Sequence, residues 1–233
     1  LDKVYPNIDE AVADIPDGAS IAIGGFFTAG TPTPLIQALA RHGAKNLTII
    51  CQQMGPGNDT ITQLIVNKQV KKAICNYPFY RSASKGASSP FEQAVRADEI
   101  ELEVYPMGTF IEKLRAGAAG IAGFYTSTGV GTTVELGKEK RAFGGREYLL
   151  ELALKPDYAF VYSYRGDWMG NLTCRKTARN FNPEMAAAAR VTIAAVENLV
   201  EPGKLDGDVV HVPGIYVQRV VKVERPSYYP TIE

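Results

Sequence analysis

From Ala19 to Gly120, short apolar runs alternate with segments of helical period, and this alternation constrains the fold more than any other feature. The run "ASIAIGGF" reads as a buried strand, because it is short and stops at paired glycines. "TPTPLIQALARHGA" reads as a helix, with proline in its first turn and Gly43 near its end. "NLTIICQ", "DTITQLIVNKQV", "KKAICNYP", "PFEQAVRADE", "IELEVYP" and "GTFIEKLRAGAAG" continue as strand, helix, strand, helix, strand and helix. Strands joined through helices must cross over and run parallel. The expected class is therefore α/β: a largely parallel open sheet with helices on both faces.

Elsewhere the texture differs. "IDEAVAD" near the start reads as a short amphipathic helix. The centre, from Ala122 to Leu152, is rich in Gly and Thr and ends in short hairpin strands. "PDYAFVYSYRGDWMGNLT" reads as a strand and a glycine-marked turn, and "NPEMAAAARVTIAAVENLV" as a helix and then a strand. "HVPGIYVQRVVKV" reads as a turn followed by a short helix or strand. No repeat and no Pro/Gly/Ser-rich linker divides the chain, so one domain over residues 1–233 is expected.

Lys+Arg and Asp+Glu balance at 25 each, which supplies no net field toward nucleic acid or an acidic membrane. No stretch approaches a membrane span. Cys51, Cys75 and Cys174 stand far apart, with no CxxC pair and no Cys/His cluster, so neither a structural zinc site nor a disulfide scaffold is expected. That usage fits a reducing cytoplasm.

"DGASIAIGGFFTAGTP", Asp17 to Pro32, raises the functional question. A strand ending in Gly24-Gly25 can bring backbone N–H groups close to a ligand, since no Cβ intervenes. Ligands of open parallel sheets sit beyond the carboxyl ends of the strands, and the following helix aims its N-terminus there. The alternative is a tight turn that only packs strand and helix together. Nucleotide motifs fail on spacing. Gly24, Gly25 and Gly30 do not fit G-x-G-x-x-G, "GVGTTV" has Val134 where the last glycine belongs, and "GTTVELGKE" is one residue too long for a P-loop.

The same stretch resembles the signature of the A (alpha) subunit of 3-oxoacid coenzyme A transferases. Asp17, Gly18, the apolar Ile21, Ala22 and Ile23, then Gly24, Gly25, Phe26, Gly30 and Pro32 all match. The resemblance continues through "GTFIEKLRAGAAGIAGFYTSTGVGT", "GREYLLE", "GNLTCRKTARNFNPEMAAAA" and "HVPGIYVQRVV" and covers nearly the whole chain. It implies the three-layer fold that this family shares with sugar-phosphate isomerases. It also implies a ping-pong exchange of coenzyme A between two carboxylic acids, with succinyl-CoA as donor and a 3-oxoacid such as acetoacetate or 3-oxoadipate as acceptor. Coenzyme A enters as substrate, and no metal or other cofactor is implied.

By the same resemblance the nucleophilic glutamate belongs to a B (beta) subunit, in an A2B2 assembly. Glu197 in "VENLV" and Glu135 after "GVGTT" are the nearest alternatives here; Glu197 reads as an ordinary surface glutamate and Glu135 as a structural or surface residue. No catalytic residue is therefore expected in this chain. Its expected share is substrate and oxyanion binding by Gly24, Gly25, Phe26, Thr28, Gly30, Gln52, Gln53, Met107, Gly108, Gly129 and Gly131. Two positions depart from the family pattern. Gln52-Gln53 stand where relatives carry Asn-Asn, and Met107 stands where relatives carry Gln. The 77–98 segment is also longer than its counterparts. An altered, more apolar acyl pocket or an unchanged substrate with compensated drift both follow from these departures. Two further readings stay open: a diverged A-like subunit that hydrolyses thioesters, and a ligand-sensing module of the same fold.

Arg175, Lys176 and Arg179 in "CRKTARNF" read first as a helix entry with local ion pairs, and second as a site for CoA phosphates or partner carboxylates. His42 is expected at a helix C-terminus, His211 at a turn, and Trp168 as a packing anchor or interface residue.

Overall fold

The computed structural model describes residues 2–54, 59–79 and 89–225. The expected series is present: α1 (Ile8–Val12), β1 (Ser20–Ile23), α2 (Thr33–His42), β2 (Leu47–Cys51), α3 (Asp59–Val66), β3 (Val70–Cys75), α4 (Pro90–Arg96), β4 (Glu101–Val104) and α5 (Met107–Ala118). Three short strands follow, β5 (Gly123–Thr126), β6 (Lys140–Phe143) and β7 (Arg146–Leu152). The chain then runs through β8 (Tyr158–Asp167), β9 (Leu172–Thr173), α6 (Asn182–Ala188), β10 (Val191–Val200) and β11 (Arg219–Lys222).

The main sheet has the order β11-β10-β8-β1-β2-β3-β4, with every neighbouring pair parallel and the short β9 antiparallel to β8. β5, β7 and β6 form a separate antiparallel sheet. From β1 the chain winds outward to β4, then returns to the other side of β1 and winds out to β11. Between β1 and β8 the direction of winding reverses, so crossovers diverge there and leave a crevice at the carboxyl ends.

Alternation along each strand sends side chains to two cores. Ile21, Ile23, Ile49, Cys51, Phe160 and Ile193 face α1 to α4 and pack with Leu35, Leu39, Ile61 and Phe91. Ala22, Ile50, Ile74, Val161 and Val196 face α5 and α6 and pack with Phe110, Leu114 and Met185. Helices thus cover both faces, as the buried runs predict. Local chemistry sets the helix ends. The Asn7 side chain accepts the Glu10 N–H and donates to the Glu10 carboxylate at the start of α1. Gly43 closes α2 in the left-handed region at φ 83°.

One boundary differs from expectation. The "DTITQLIVNKQV" helix stops at Val66, and Val70 already belongs to β3. Lys68 turns left-handed at φ 53°. Gln69 is fully buried and donates its amide to Leu39 and Ala44 carbonyls at the end of α2. A left-handed cap at Lys68 closes the helix, with the Lys68 N–H on the Ile65 carbonyl and the Gln69 N–H on the Leu64 carbonyl, and the Gln69 side chain anchors that end on α2. Among the described residues no helix is long and apolar enough to cross a membrane.

Candidate functional site

The carboxyl ends of β1 to β4 bring together the turns after Ile23, Cys51, Cys75 and Val104. The first is the glycine turn. Gly24 donates its N–H to the Phe160 carbonyl of β8 at 2.9 Å, so that donor is spent within the sheet. A Cβ on Gly24 would overlap Asn182 Oδ1, far inside contact distance. Gly25 takes φ +107°, and its Cβ would overlap Thr31 Oγ1. On Gly30 a Cβ would run into the Ala178 carbonyl. At Gly24 the expectation of a ligand donor is thus corrected: the missing side chain there makes room for α6.

Asn182, wholly buried, locks the turn. Its Oδ1 accepts the Tyr162 N–H at 3.0 Å, and its Nδ2 donates to the carbonyls of Gly30 at 3.0 Å and Ala178 at 2.8 Å. Asn180 adds a bond from Nδ2 to the Ala29 carbonyl. Phe26 projects from the turn, 39% exposed, and stacks on Phe181, which meets Phe110 edge-on. Neither asparagine stood out as a site residue in the sequence. The sequence carries no local signal for either: Asn182 is the first residue of α6, the cap position is Phe181 with no side-chain cap bond, and the Tyr162 and Gly30 partners of Asn182 lie in other segments.

On the β2–β4 side the crevice carries polar side chains. Gln52 and Gln53 are both buried at the end of β2. The backbone of Gln52 accepts the Tyr77 N–H, and Gln53 bridges to Tyr77, which extends the parallel pairing past the strands. Among the described residues, Gln52 Oε1, both amide atoms of Asn76 and Thr109 Oγ1 are buried without a hydrogen-bond partner. Native proteins leave few such atoms, and each calls for an explanation such as a catalytic role or an ordered water. Met107 and Gly108 open α5 and are both exposed, and α5 has no side-chain cap. A Cβ on Gly108 would touch nothing within 4 Å, so the helix start is bare. Its first N–H groups therefore carry the positive end of the helix dipole to this edge. Burial, then the charges of Glu103 and Glu151, push the Tyr105 phenol up to about 12, so it stays protonated. Burial likewise pushes the Cys75 thiol up to about 12 and raises Cys51. Part of the 77–98 segment, residues 80–88, lies outside the described residues.

Thr28 belongs to the opposite side of the turn, in a cavity with Tyr162, Tyr164, Arg175, Lys176 and Glu197. Glu197 is half-buried and accepts the Tyr162 hydroxyl at 2.8 Å, so it is not the surface glutamate expected. Gly129 and Gly131 lie in the loop between β5 and β6 of the small sheet, which meets the main sheet through α5. Gly131 donates its N–H to Glu135 at 2.6 Å, which spends the donor that the sequence assigned to an oxyanion. Glu135 also pairs with Lys140 at 3.1 Å. The Gly131 N–H first, and Lys140 next, hold its carboxyl below the usual range. Glu135 is therefore engaged in the local structure of this loop.

The basic segment enters α6 through a single 3-10 turn, Lys176–Arg179. The expected ion pairs are absent among the described residues: Arg175 stacks on the Tyr164 ring at 5.1 Å instead, and Arg179 acts on His211. His42 ends α2, with Nε2 2.9 Å from the Ile15 carbonyl. His211 Nδ1 accepts the Cys174 N–H at 2.9 Å. Trp168 is 41% exposed in the turn after β8.

Comparison with known proteins places these features in a family. Residues 5–223 match the family described as coenzyme A transferase. The chain is 45% identical to the A subunit of a probable succinyl-CoA:3-ketoacid coenzyme A transferase of Bacillus subtilis, covering 95% of this chain and 90% of that one. It is 44% identical to the A subunit of a 3-oxoadipate CoA-transferase of Pseudomonas putida, covering 96% and 94%. An acyl-CoA transferase of Escherichia coli O157:H7, solved as a thioester complex with CoA, superposes with a TM-score of 0.82 at 25% identity. That match takes in 98% of this chain and 49% of the other, so this chain spans about half of that protein.

Proposed function

The chain belongs to the coenzyme A transferase family, and from that premise we propose that it is the A subunit of a heteromeric enzyme exchanging coenzyme A between succinyl-CoA and a 3-oxoacid. The nucleophile in this reading is a glutamate of the B subunit. One observation carries the division of labour: both glutamates that the sequence brought forward are committed elsewhere, Glu135 to Gly131 and Lys140, and Glu197 to Tyr162. The relatives' names, each that of an A subunit, support it. Cytoplasmic location and an A2B2 assembly complete the reading.

The steps balance without water, metal or redox cofactor. The partner's carboxylate attacks the thioester carbonyl, and collapse of the tetrahedral oxyanion expels CoA thiolate to leave a mixed anhydride. The thiolate attacks the glutamyl carbonyl and releases the first acid as its carboxylate, leaving a glutamyl-CoA thioester. The second acid attacks that thioester and expels the thiolate. The thiolate then takes the acyl group of the new anhydride, which frees the glutamate. This chain's part is to place donors where oxyanions develop. The amides of Gln52, Gln53 and Asn76 and the bare start of α5 at Met107 and Gly108 suit that part. Phe26 and Met107 line the same edge with apolar surface, which keeps water from the anhydride.

The test is co-expression with the B subunit and a CoA-exchange assay from succinyl-CoA to acetoacetate, 3-oxoadipate and longer 3-oxoacids. Exchange should need both chains, and borohydride should trap the thioester on the partner alone. Exchange by this chain alone would overturn the shared site. Hydrolysis of succinyl-CoA without transfer would favour a thioesterase.

A further inference from the structure

The glycine turn has a second side, and the exchange reaction described above makes no use of it. A cavity of about 230 Å³ opens there, at the point between β1 and β8 where the sheet reverses its winding. Thr28 and Ala29 of the turn form one wall, and Tyr162 and Tyr164 of β8 form another. Arg175, Lys176 and Arg225 line it against a single carboxylate, Glu197. That carboxylate already accepts the Tyr162 hydroxyl. Arg175 lies over the Tyr164 ring, an arrangement that leaves the in-plane N–H edge of a guanidinium open to a carboxylate. The ion pairs of the described residues include neither Arg175 nor Lys176. The wall that presents them is held in unusual backbone, with Lys176 left-handed at φ 52°. Asn180 and Asn182 fix this wall to the glycine turn. Strain of this kind persists only where surrounding contacts enforce it.

We propose that this cavity is a binding site for a small organic carboxylate, distinct from the amide-lined crevice on the β2–β4 side. Arg175 and Lys176 take the carboxylate, and the tyrosine rings take the hydrocarbon. A space of about 230 Å³ suits an acid of a few carbons or one ring. An occupant would rest on Thr28 and Ala29, and so would touch the turn that also shapes the other crevice.

The probe is 4-fluorobenzoate, followed by fluorine NMR line broadening with the full chain, alone and in complex with its B subunit. Saturable broadening is expected in both. Arg175→Gln and Lys176→Gln should each weaken binding at least about tenfold, the loss of one charge-assisted contact. Gln53→Ala should leave it unchanged, and the neutral 4-fluorobenzamide should not bind. Undiminished binding by both charge variants would overturn the proposal, as would equal binding of the benzamide, no binding at all, or loss with Gln53→Ala. Binding by the isolated chain that vanishes in the complex would also overturn it, because the cavity would then be the partner's seat.

Discussion

At the scale of single residues, the glycine signature works through Asn182. The Cβ that Gly24 lacks would fall on Asn182 Oδ1, so Gly24→Ala should destabilise the fold by about 2 kcal/mol through forced displacement. Asn182→Ala removes three hydrogen bonds and leaves the buried Tyr162 N–H and Gly30 carbonyl, and the part-buried Ala178 carbonyl, without this partner, at a cost of about 3 kcal/mol. The double variant should cost less than the sum, because losing the Asn182 amide vacates the space the new Cβ needs. Urea unfolding of the four proteins measures this, and strict additivity would show that the contact is not the cause. Gln52 is expected to behave in the opposite way. Its Oε1 is buried without a partner among the described residues, so Gln52→Leu should hold or raise stability by up to about 1 kcal/mol. If Gln52 serves the oxyanion, the same change should lower kcat about a hundredfold in the exchange assay. Lost stability with unchanged kcat would assign Gln52 to packing.

At the scale of elements, the small sheet is joined to α5 by a buried charge cluster. Lys113, 3% exposed, meets Glu151 Oε2 at 3.0 Å, Lys138 binds the other carboxylate oxygen, and both ammonium groups lie over the Tyr105 ring. Glu151→Ala would strand Lys113 without a counter-charge and should cost about 3–5 kcal/mol, whereas Lys113→Met with Glu151→Leu should stay within about 1 kcal/mol of the parent. Thermal denaturation distinguishes the two, and equal losses would mean the charges matter only as volume. None of this was legible in the sequence, because Lys113 sits in an ordinary amphipathic helix pattern and Glu151 in a short strand. The strands themselves were legible. Runs such as Ile21-Ala22-Ile23 and Ile49-Ile50-Cys51 are apolar at every position because both faces are covered. What failed was whatever a distant contact decides. Gln69 anchors the left-handed end of α3 on α2, and the Glu197 cavity exists only because β8, β10 and the glycine turn are neighbours. Gly24 could not be told from a ligand cradle for the same reason: Asn182 is far along the chain.

At the scale of the whole molecule, two responses are predicted, one of the closed fold to acid and one of the carboxyl edge to a B subunit. The Arg219 hydrogen bond holds Asp14 below the usual carboxylate range and ties α1 to β11. Burial raises Asp157, but the Ser20 hydroxyl and N–H outweigh it and leave it lowered, tying β1 to the start of β8. Both contributions are complete above the unfolded value near ~3.9 and are lost as pH falls through the lower folded values. Burial, then Arg179, lowers His211, so its contribution is present above ~6.5 and fades as pH falls through the folded value. Melting followed from pH 7 downward should show a first decline that His211→Gln removes and a steeper second one that Asp14→Asn reduces. A single acid transition unchanged by both would refute the assignment. The carboxyl edge carries Phe26, Tyr77, Phe79 and Met107 at 39–46% exposure, and a cluster of apolar side chains at the mouth of a polar crevice is what an interface core looks like before association. If a B subunit closes that crevice, hydrogen exchange at 26–31, 52–54, 76–79 and 105–108 should slow when the subunits are mixed, while the β6–β7 hairpin exchanges as before. Phe26→Ser should weaken the complex by about 2 kcal/mol or more, as loss of a central aromatic anchor does. Protection of the hairpin instead would move the interface to the small sheet and leave the nucleophile far from Gln52.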